Sequence, residues 1–242
     1  MDTSTTTRRS TAAARERSFL ANAAHELRNP LHSANGFVEM VLDGLAGSLN
    51  ERQHEMLNYA HTAIGQLGIL LEDVLFVARS DNGEIQLRVS TADPSAILAC
   101  ALDYVHEQAE GQRITISRQN LEFPPAIQVD SERLREGLTG LLRGSLAMMP
   151  PEGTMTVAAT THNDLFVIEV TLDQVRINAT DRRHLFDRFY QPRPLGADRS
   201  AYLGLGLVIA QATAQWHGGQ VRVDSATDGS VMLRYELLLN CS

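Results

Sequence analysis

Residues 19–31 read FLANAAHELRNPL. Through and beyond them, Leu20, Ala24, Leu27, Leu31, Ala34, Val38, Val41 and Leu45 alternate in steps of four and three. That 3.5-residue repeat is the pattern of helices packed in a coiled coil or bundle. Gly44 and the stretch Ala46-Gly47-Ser48-Leu49 break it, and Asn50 with Gln53 three positions on has the spacing of a capping box. A second seam runs through Leu57, Ala60, Ile64, Leu67, Leu71, Val74 and Ala78 until the turn residues Ser80-Asp81-Asn82-Gly83. Two long helices and a short loop predict an antiparallel hairpin. One copy cannot cover the resulting apolar stripe, so two copies are expected to pair as a dimeric four-helix bundle.

His25 adjoins seam residue Ala24, which puts it at the solvent edge of that bundle. An exposed imidazole titrates near neutrality and is a free nucleophile. Glu26 beside it can take a proton from one ring nitrogen and leave the other with an outward lone pair. Pro30 has no N–H, so the Glu26 carbonyl loses its helical partner and a kink or local opening is expected below His25.

Outside this segment the chain has ordinary globular statistics. Its 242 residues suggest one and a half to two domains at roughly 150 residues each. Apolar residues make up 43% and charged residues 21%, enough to build a core. The net charge of −8 argues against nucleic acid or an anionic membrane as main partner. All 21 basic residues are Arg, which excludes Schiff-base, Ser-Lys and P-loop lysine chemistry. Cys100 and Cys241 make neither a disulfide framework nor a metal site, and the remaining histidines show no ligand spacing. No uninterrupted apolar run reaches the roughly 18 residues of a membrane span, so a cytoplasmic chain without membrane insertion is expected.

Residues 1–17, rich in Thr, Ser, Ala and Arg, read as a flexible tail. Residues 18–83 form the hairpin, and 84–242 a mixed domain. In it, strands are expected at Ile85–Arg88, Ile114–Ser117, Thr154–Ala159, Leu165–Leu172, Gly219–Val223 and Ser230–Leu238. Helices are expected at Ala92–Glu110, Ser131–Met148 and Leu203–Trp216. The irregular alternation predicts an α+β fold with one sheet covered by helices on one face.

Residues 19–31 closely resemble the phosphoacceptor box of two-component sensor histidine kinases. The resemblance implies that His25 is the phosphoacceptor, that Glu26 has the acid/base role, and that Asn29 orients reactants or a hydrolytic water. It makes the second domain an α/β sandwich of the histidine-kinase ATPase type. Landmarks of that domain follow in order: Asp130-Ser131-Glu132-Arg133-Leu134, HLFDRFYQP at 184–192, LGLGL at 203–207, and His217-Gly218-Gly219.

Several positions depart from the family pattern. Where the family's asparagine box reads NLLxNA, with the second Asn on Mg²⁺, this chain has Gly140-Leu141-Leu142-Arg143-Gly144-Ser145. A glycine has no side-chain oxygen for a metal that demands oxygen ligands. The basic residue that follows in the family is Ala147. Alternation of Phe166, Ile168, Val170 and Leu172 puts Leu172 at the family's adenine-binding Asp, with Asp173 on the opposite face. Gln174 and Arg176 replace the glycines that follow. Gly204, Leu205, Gly206 and Leu207 remain as a remnant that can present backbone N–H groups to a phosphate.

The expected function is therefore histidine phosphotransfer with a receiver-domain aspartate, with no cofactor, and ATP and magnesium entering only if the pocket still works. The partners implied are a response-regulator receiver, a second copy of the chain and an upstream sensor kinase. Two alternatives stay open: an ATP-dependent kinase with an unusual pocket, and a non-catalytic regulator that docks receivers or kinases. Phe37 and Met40, with Ser33 and Gly36, are the expected receiver-docking face below His25.

Overall fold

The computed structural model describes residues 26–81, 83, 85–192, 203–226 and 228–239. The tail and His25 lie outside the described residues. The chain divides into two compact units, Met1–Ile85 and Gln86–Ser242.

In the first unit, α1 covers 26–42 and α2 covers Glu51–Asp81. The capping box forms in both directions: the Gln53 amide donates to Asn50 Oδ1 at 2.9 Å, and the Asn50 amide to Gln53 Oε1 at 3.0 Å. Three contacts set the antiparallel register. Arg28 donates to Glu72 at 2.6–2.8 Å, Leu31 packs over Gly68, and His61 Nε2 lies 3.1 Å from Glu39 Oε1. Apart from Leu31, which belongs to both sets, the seam residues lie about a quarter-turn from these contact positions on each helix, by 100° per residue. The two seams thus form one stripe on one side of the hairpin. Seam residues Leu27, Leu45 and Leu67 are more than half exposed.

The helix runs unbroken from 26 to 42, so no local opening interrupts the described part of α1 at Pro30. An 18-residue window of α2 reaches a mean hydropathy of 1.3, long and apolar enough by composition to cross a membrane. Its polar side chains His61 and Glu72, however, are turned onto α1.

The second unit is built on a mixed five-stranded sheet ordered β2-β4-β5-β7-β6. The strands are β2 Thr115–Leu121, β4 Thr154–His162, β5 Leu165–Leu172, β6 Gln220–Ser225 and β7 Val231–Leu238. Within this sheet β2 and β4 pair in parallel, and the β4–β5, β5–β7 and β6–β7 pairs are antiparallel. A separate antiparallel pair joins β1 Ser90–Ala92 to β3 Ile127–Val129. Residue alternation sorts each central strand: Met155, Val157 and Ala159 of β4, Phe166, Ile168, Val170 and Leu172 of β5, and Leu233, Tyr235 and Leu237 of β7 are buried. They form one core with the apolar faces of α3 Pro94–Gly111, α4 Ser131–Leu146 and α6 Gly206–Trp216. The other sheet face is polar, with Arg234 of β7 bridging Glu169 at 2.7 Å and Asp224 at 3.4 Å.

Five elements differ from expectation. The strand expected at Ile85–Arg88 forms instead at Ser90–Ala92, where β3, itself not expected, supplies its partner. β2 extends to Leu121 through a bulge at Asn120, whose φ is 46°. The helix expected from Leu203 starts at Gly206, because Gly204 turns the chain with φ 71°. A short helix, α5 at Ala179–His184, was not expected; Asn178 caps it by accepting from the Asp181 amide at 2.8 Å.

Candidate functional site

The phosphoacceptor side of the hairpin starts at the edge of the described residues. Glu26 and Asn29 are both exposed on α1. The Asn29 carbonyl, four residues upstream of Ser33, accepts from its hydroxyl at 3.0 Å. Asn29, Ser33, Gly36, Phe37 and Met40 recur at three- and four-residue steps on a face distinct from that of Arg28, Leu31 and Glu39. Phe37 is 66% exposed and Met40 42%, and a β-carbon at Gly36 would meet nothing within 4 Å. The surface is open and partly apolar, with small residues next to the acceptor end.

The positions matched to a nucleotide site in the second unit are of the opposite kind. Leu172 is fully buried in β5 between Met155 and Val231, and Asp173 is exposed. The face assignment made from alternation therefore holds. Gln174 takes a positive φ of 61° at the strand's end. Arg176 reaches across to the β6–β7 turn, donating to the Asp228 carbonyl at 3.1 Å and to Ser230 Oγ at 3.2 Å. The Ser230 hydroxyl and amide in turn lower the Asp228 carboxyl below its ordinary range.

Gly204, Leu205, Gly206 and Leu207 are all buried. A β-carbon on Gly204 would collide with the Tyr190 carbonyl, so this turn is closed over the aromatic segment before it. There, Tyr190 donates its hydroxyl to Asp181, which raises the phenol above its ordinary value, and His184 Nδ1 lies 2.6 Å from Asp187. Phe189 between them is 62% exposed with a φ of 61°.

A polar clasp that sequence reasoning left unassigned joins three segments. The Asp130 carboxylate caps α4, accepting from the Arg133 amide at 3.1 Å, and also accepts from the Arg88 amide at 2.8 Å. The Asp130 amide donates to His217 Nε2 at 3.0 Å. Nε2 is thus the acceptor, so Nδ1 carries the proton and donates to the Thr213 carbonyl at 2.8 Å. Burial works to raise the Asp130 carboxyl, but the two amides and the Arg133 charge outweigh it and hold it below 3.8. His217-Gly218-Gly219 is therefore a structural junction: a β-carbon on Gly219 would strike the Glu236 carbonyl.

The His Kinase A (phospho-acceptor) domain matches residues 15–83. The histidine kinase-, DNA gyrase B- and HSP90-like ATPase family matches residues 129–239. Histidine protein kinase DivJ of Caulobacter vibrioides is 29% identical over 94% of this chain and 38% of its own length. Sensor protein DivL of the same organism is 29% identical over 87% of this chain and 26% of its own. The chain thus spans well under half the length of these curated relatives. Among solved structures, full-length ShkA in complex with AMPPNP aligns at a TM-score of 0.69 and 21% identity, covering 93% of this chain and 47% of that one. Acinetobacter baumannii histidine kinase AdeS aligns at 0.59 and 17% identity, covering 89% and 98%. At those identities the solved structures share the fold.

Proposed function

Because this chain belongs to the two-component sensor histidine kinase family, we propose that it works as a histidine phosphotransfer protein whose phosphoryl group is exchanged with a receiver-domain aspartate rather than drawn from ATP. The observation that carries this reading is the burial of Leu172 at the adenine-binding position, with no polar atom on its side chain. An amino group buried against it would lose a hydrogen bond, a cost of about 1–3 kcal/mol. Gly140 and Gly144 add no oxygen for magnesium. The residues present do not fit a magnesium nucleotide.

In the proposed reaction a nitrogen lone pair of His25 attacks the phosphorus of an aspartyl phosphate. The N–P bond forms, the acyl P–O bond breaks, and the aspartate carboxylate leaves with the electron pair. Glu26 takes the proton from the other ring nitrogen, and Asn29 orients the incoming group or a water. The receiver docks on the exposed Phe37–Met40 face. A second copy covers the stripe that leaves Leu27, Leu45 and Leu67 exposed.

An ATP-dependent kinase is the second reading, favoured by the match to the ATPase family over residues 129–239 and by the surviving Gly204–Leu207 turn. One experiment separates the two. The purified chain is incubated either with radiolabelled ATP and magnesium or with a phosphorylated receiver domain. Label on His25 is expected from the receiver only, and a His25→Gln variant should lose it at least about 10³-fold while light scattering still reports a dimer. Label from ATP establishes the kinase instead, and undiminished transfer by His25→Gln rejects His25 as the acceptor.

A further inference from the structure

Gly137, Gly140 and Gly144 are spaced by three and four, which lines them along one stripe of α4. The stripe faces α6. Helices ordinarily pack with axes about 8–10 Å apart because side chains stand between them. Where Gly140 meets Gly206, backbone faces backbone. A β-carbon at position 140 would sit 2.5 Å from the Gly206 carbonyl oxygen and 3.4 Å from Ile209 Cβ. A β-carbon at 206 would sit 2.6 Å from the Gly140 carbonyl oxygen and 3.2 Å from the Gly144 amide nitrogen. One turn along, a β-carbon at 137 would strike the Thr213 side chain and come within 3.0 Å of the Tyr235 hydroxyl.

Thr213 and Tyr235 are fully buried behind Gly137 and satisfy each other. The Thr213 hydroxyl donates to the Ile209 or Ala210 carbonyl, both at 2.9 Å, and accepts from Tyr235 at 3.0 Å. Burial raises the Tyr235 phenol far above its ordinary value, so it remains a donor at any physiological pH. The stripe is thus a packed joint with a backbone-to-backbone contact at Gly140–Gly206 and a satisfied polar pair at its other end.

We infer that the α4–α6 glycine seam is a built-in seal. It holds closed, by direct helix contact, the end of the sandwich where the asparagine box and the glycine turn would otherwise flank a nucleotide's phosphates. This rests on the reading of the domain as a non-ATP scaffold, and it changes what Gly140 means. The residue is not an emptied ligand position that an asparagine could refill; it is required by the contact. The α4–α6 arrangement is then independent of nucleotide, and restoring asparagine at 140 breaks the domain rather than reviving it.

Amide hydrogen exchange on the unmodified full chain, with and without millimolar Mg-ATP, tests the seal directly. Amides of 138–146 and 207–214 are expected to exchange on the order of 10³-fold or more below free-peptide rates, equally in both samples. Protection that appears only with ATP, or low protection in both samples, overturns the seal. In the last case the scaffold reading survives without it. ATP-derived label on His25 overturns the seal and the scaffold reading together, because a phosphate site held closed cannot deliver a phosphoryl group. A second arm compares Gly140→Asn with Gly111→Ala, whose added β-carbon meets nothing within 4 Å. The first should lower the melting temperature by roughly 5–10 °C and the second should not. A Gly140→Asn chain that melts with the parent also overturns the seal.

Discussion

Glu26 and Asn29 stand on the open side of α1, with Phe37 and Met40 exposed further along it. Leu172, Gly140 and Gly206 are packed inside the other unit. The two units carry their family motifs in opposite physical states. On the hairpin, the residues matched to chemistry contribute little to packing and are available to a partner. In the sandwich, the residues at the matched positions are committed to the core, and Arg176, in place of a glycine, is committed to the β6–β7 turn. A surface residue is free to keep a function at little cost to stability. A pocket that no longer needs to open tends to fill, because burying apolar surface stabilises the fold by about 25 cal/mol per Å².

The largest expected effect tests that contrast at its sharpest point. Leu172→Asp places a carboxylate between Met155 and Val231 in the fully buried row of β5. An unpaired buried carboxyl should destabilise the sandwich by about 4 kcal/mol, read from the denaturant midpoint. A change of less than about 1 kcal/mol would mean that a polar cavity lies beside position 172, and the two units would no longer differ in the way described.

A smaller effect is expected at the clasp. Asp130→Ala removes the α4 cap and the acceptor of the Arg88 amide, a loss of about 1–2 kcal/mol at neutral pH. The sign of the pH dependence follows from the lowered carboxyl. Its stabilisation is fully present above the unfolded value of 3.8 and is lost as pH falls through the folded value below it. The parent and Asp130→Ala should therefore differ most above pH 4 and converge in stronger acid. A difference that stays constant down to pH 2 would show that the cap acts through shape and not through charge.

The same contrast explains which features were legible before any fold was known. Asn50 and Gln53 are three residues apart, so a reciprocal cap needs only the local chain. Alternation along one strand was enough to put Leu172 inside and Asp173 outside. β1 was misplaced and β3 missed because three-residue strands hold too little alternation, and each depends on a partner more than thirty residues away. α5 has no buried residue to mark a period, and its cap and the Tyr190–Asp181 bond hold it instead. The seam was the instructive miss. The glycines at 140 and 144 were visible, but as absent ligands, and Gly137 was not singled out; their partner Gly206 is brought to them only by the fold.

The smallest effect concerns the loop end of the hairpin. Asn50→Ala removes one half of the capping box, and because the site is exposed the loss should be about 1 kcal/mol in thermal or denaturant unfolding. Gln53→Ala removes the other half, and the double variant should lose less than the sum, since each single change already breaks the reciprocal pair. Phosphotransfer should not change in any of the three. Glu26 lies at the far end of α1, about 25 Å away along a helix rising 1.5 Å per residue, and α1 and α2 are tied in between by Arg28–Glu72 and Glu39–His61. If Asn50→Ala instead slows transfer as strongly as His25→Gln does, the loop and the acceptor end act as one unit. The hairpin would then be as tightly constrained as the sandwich, and exposure alone would not account for why its motif is kept.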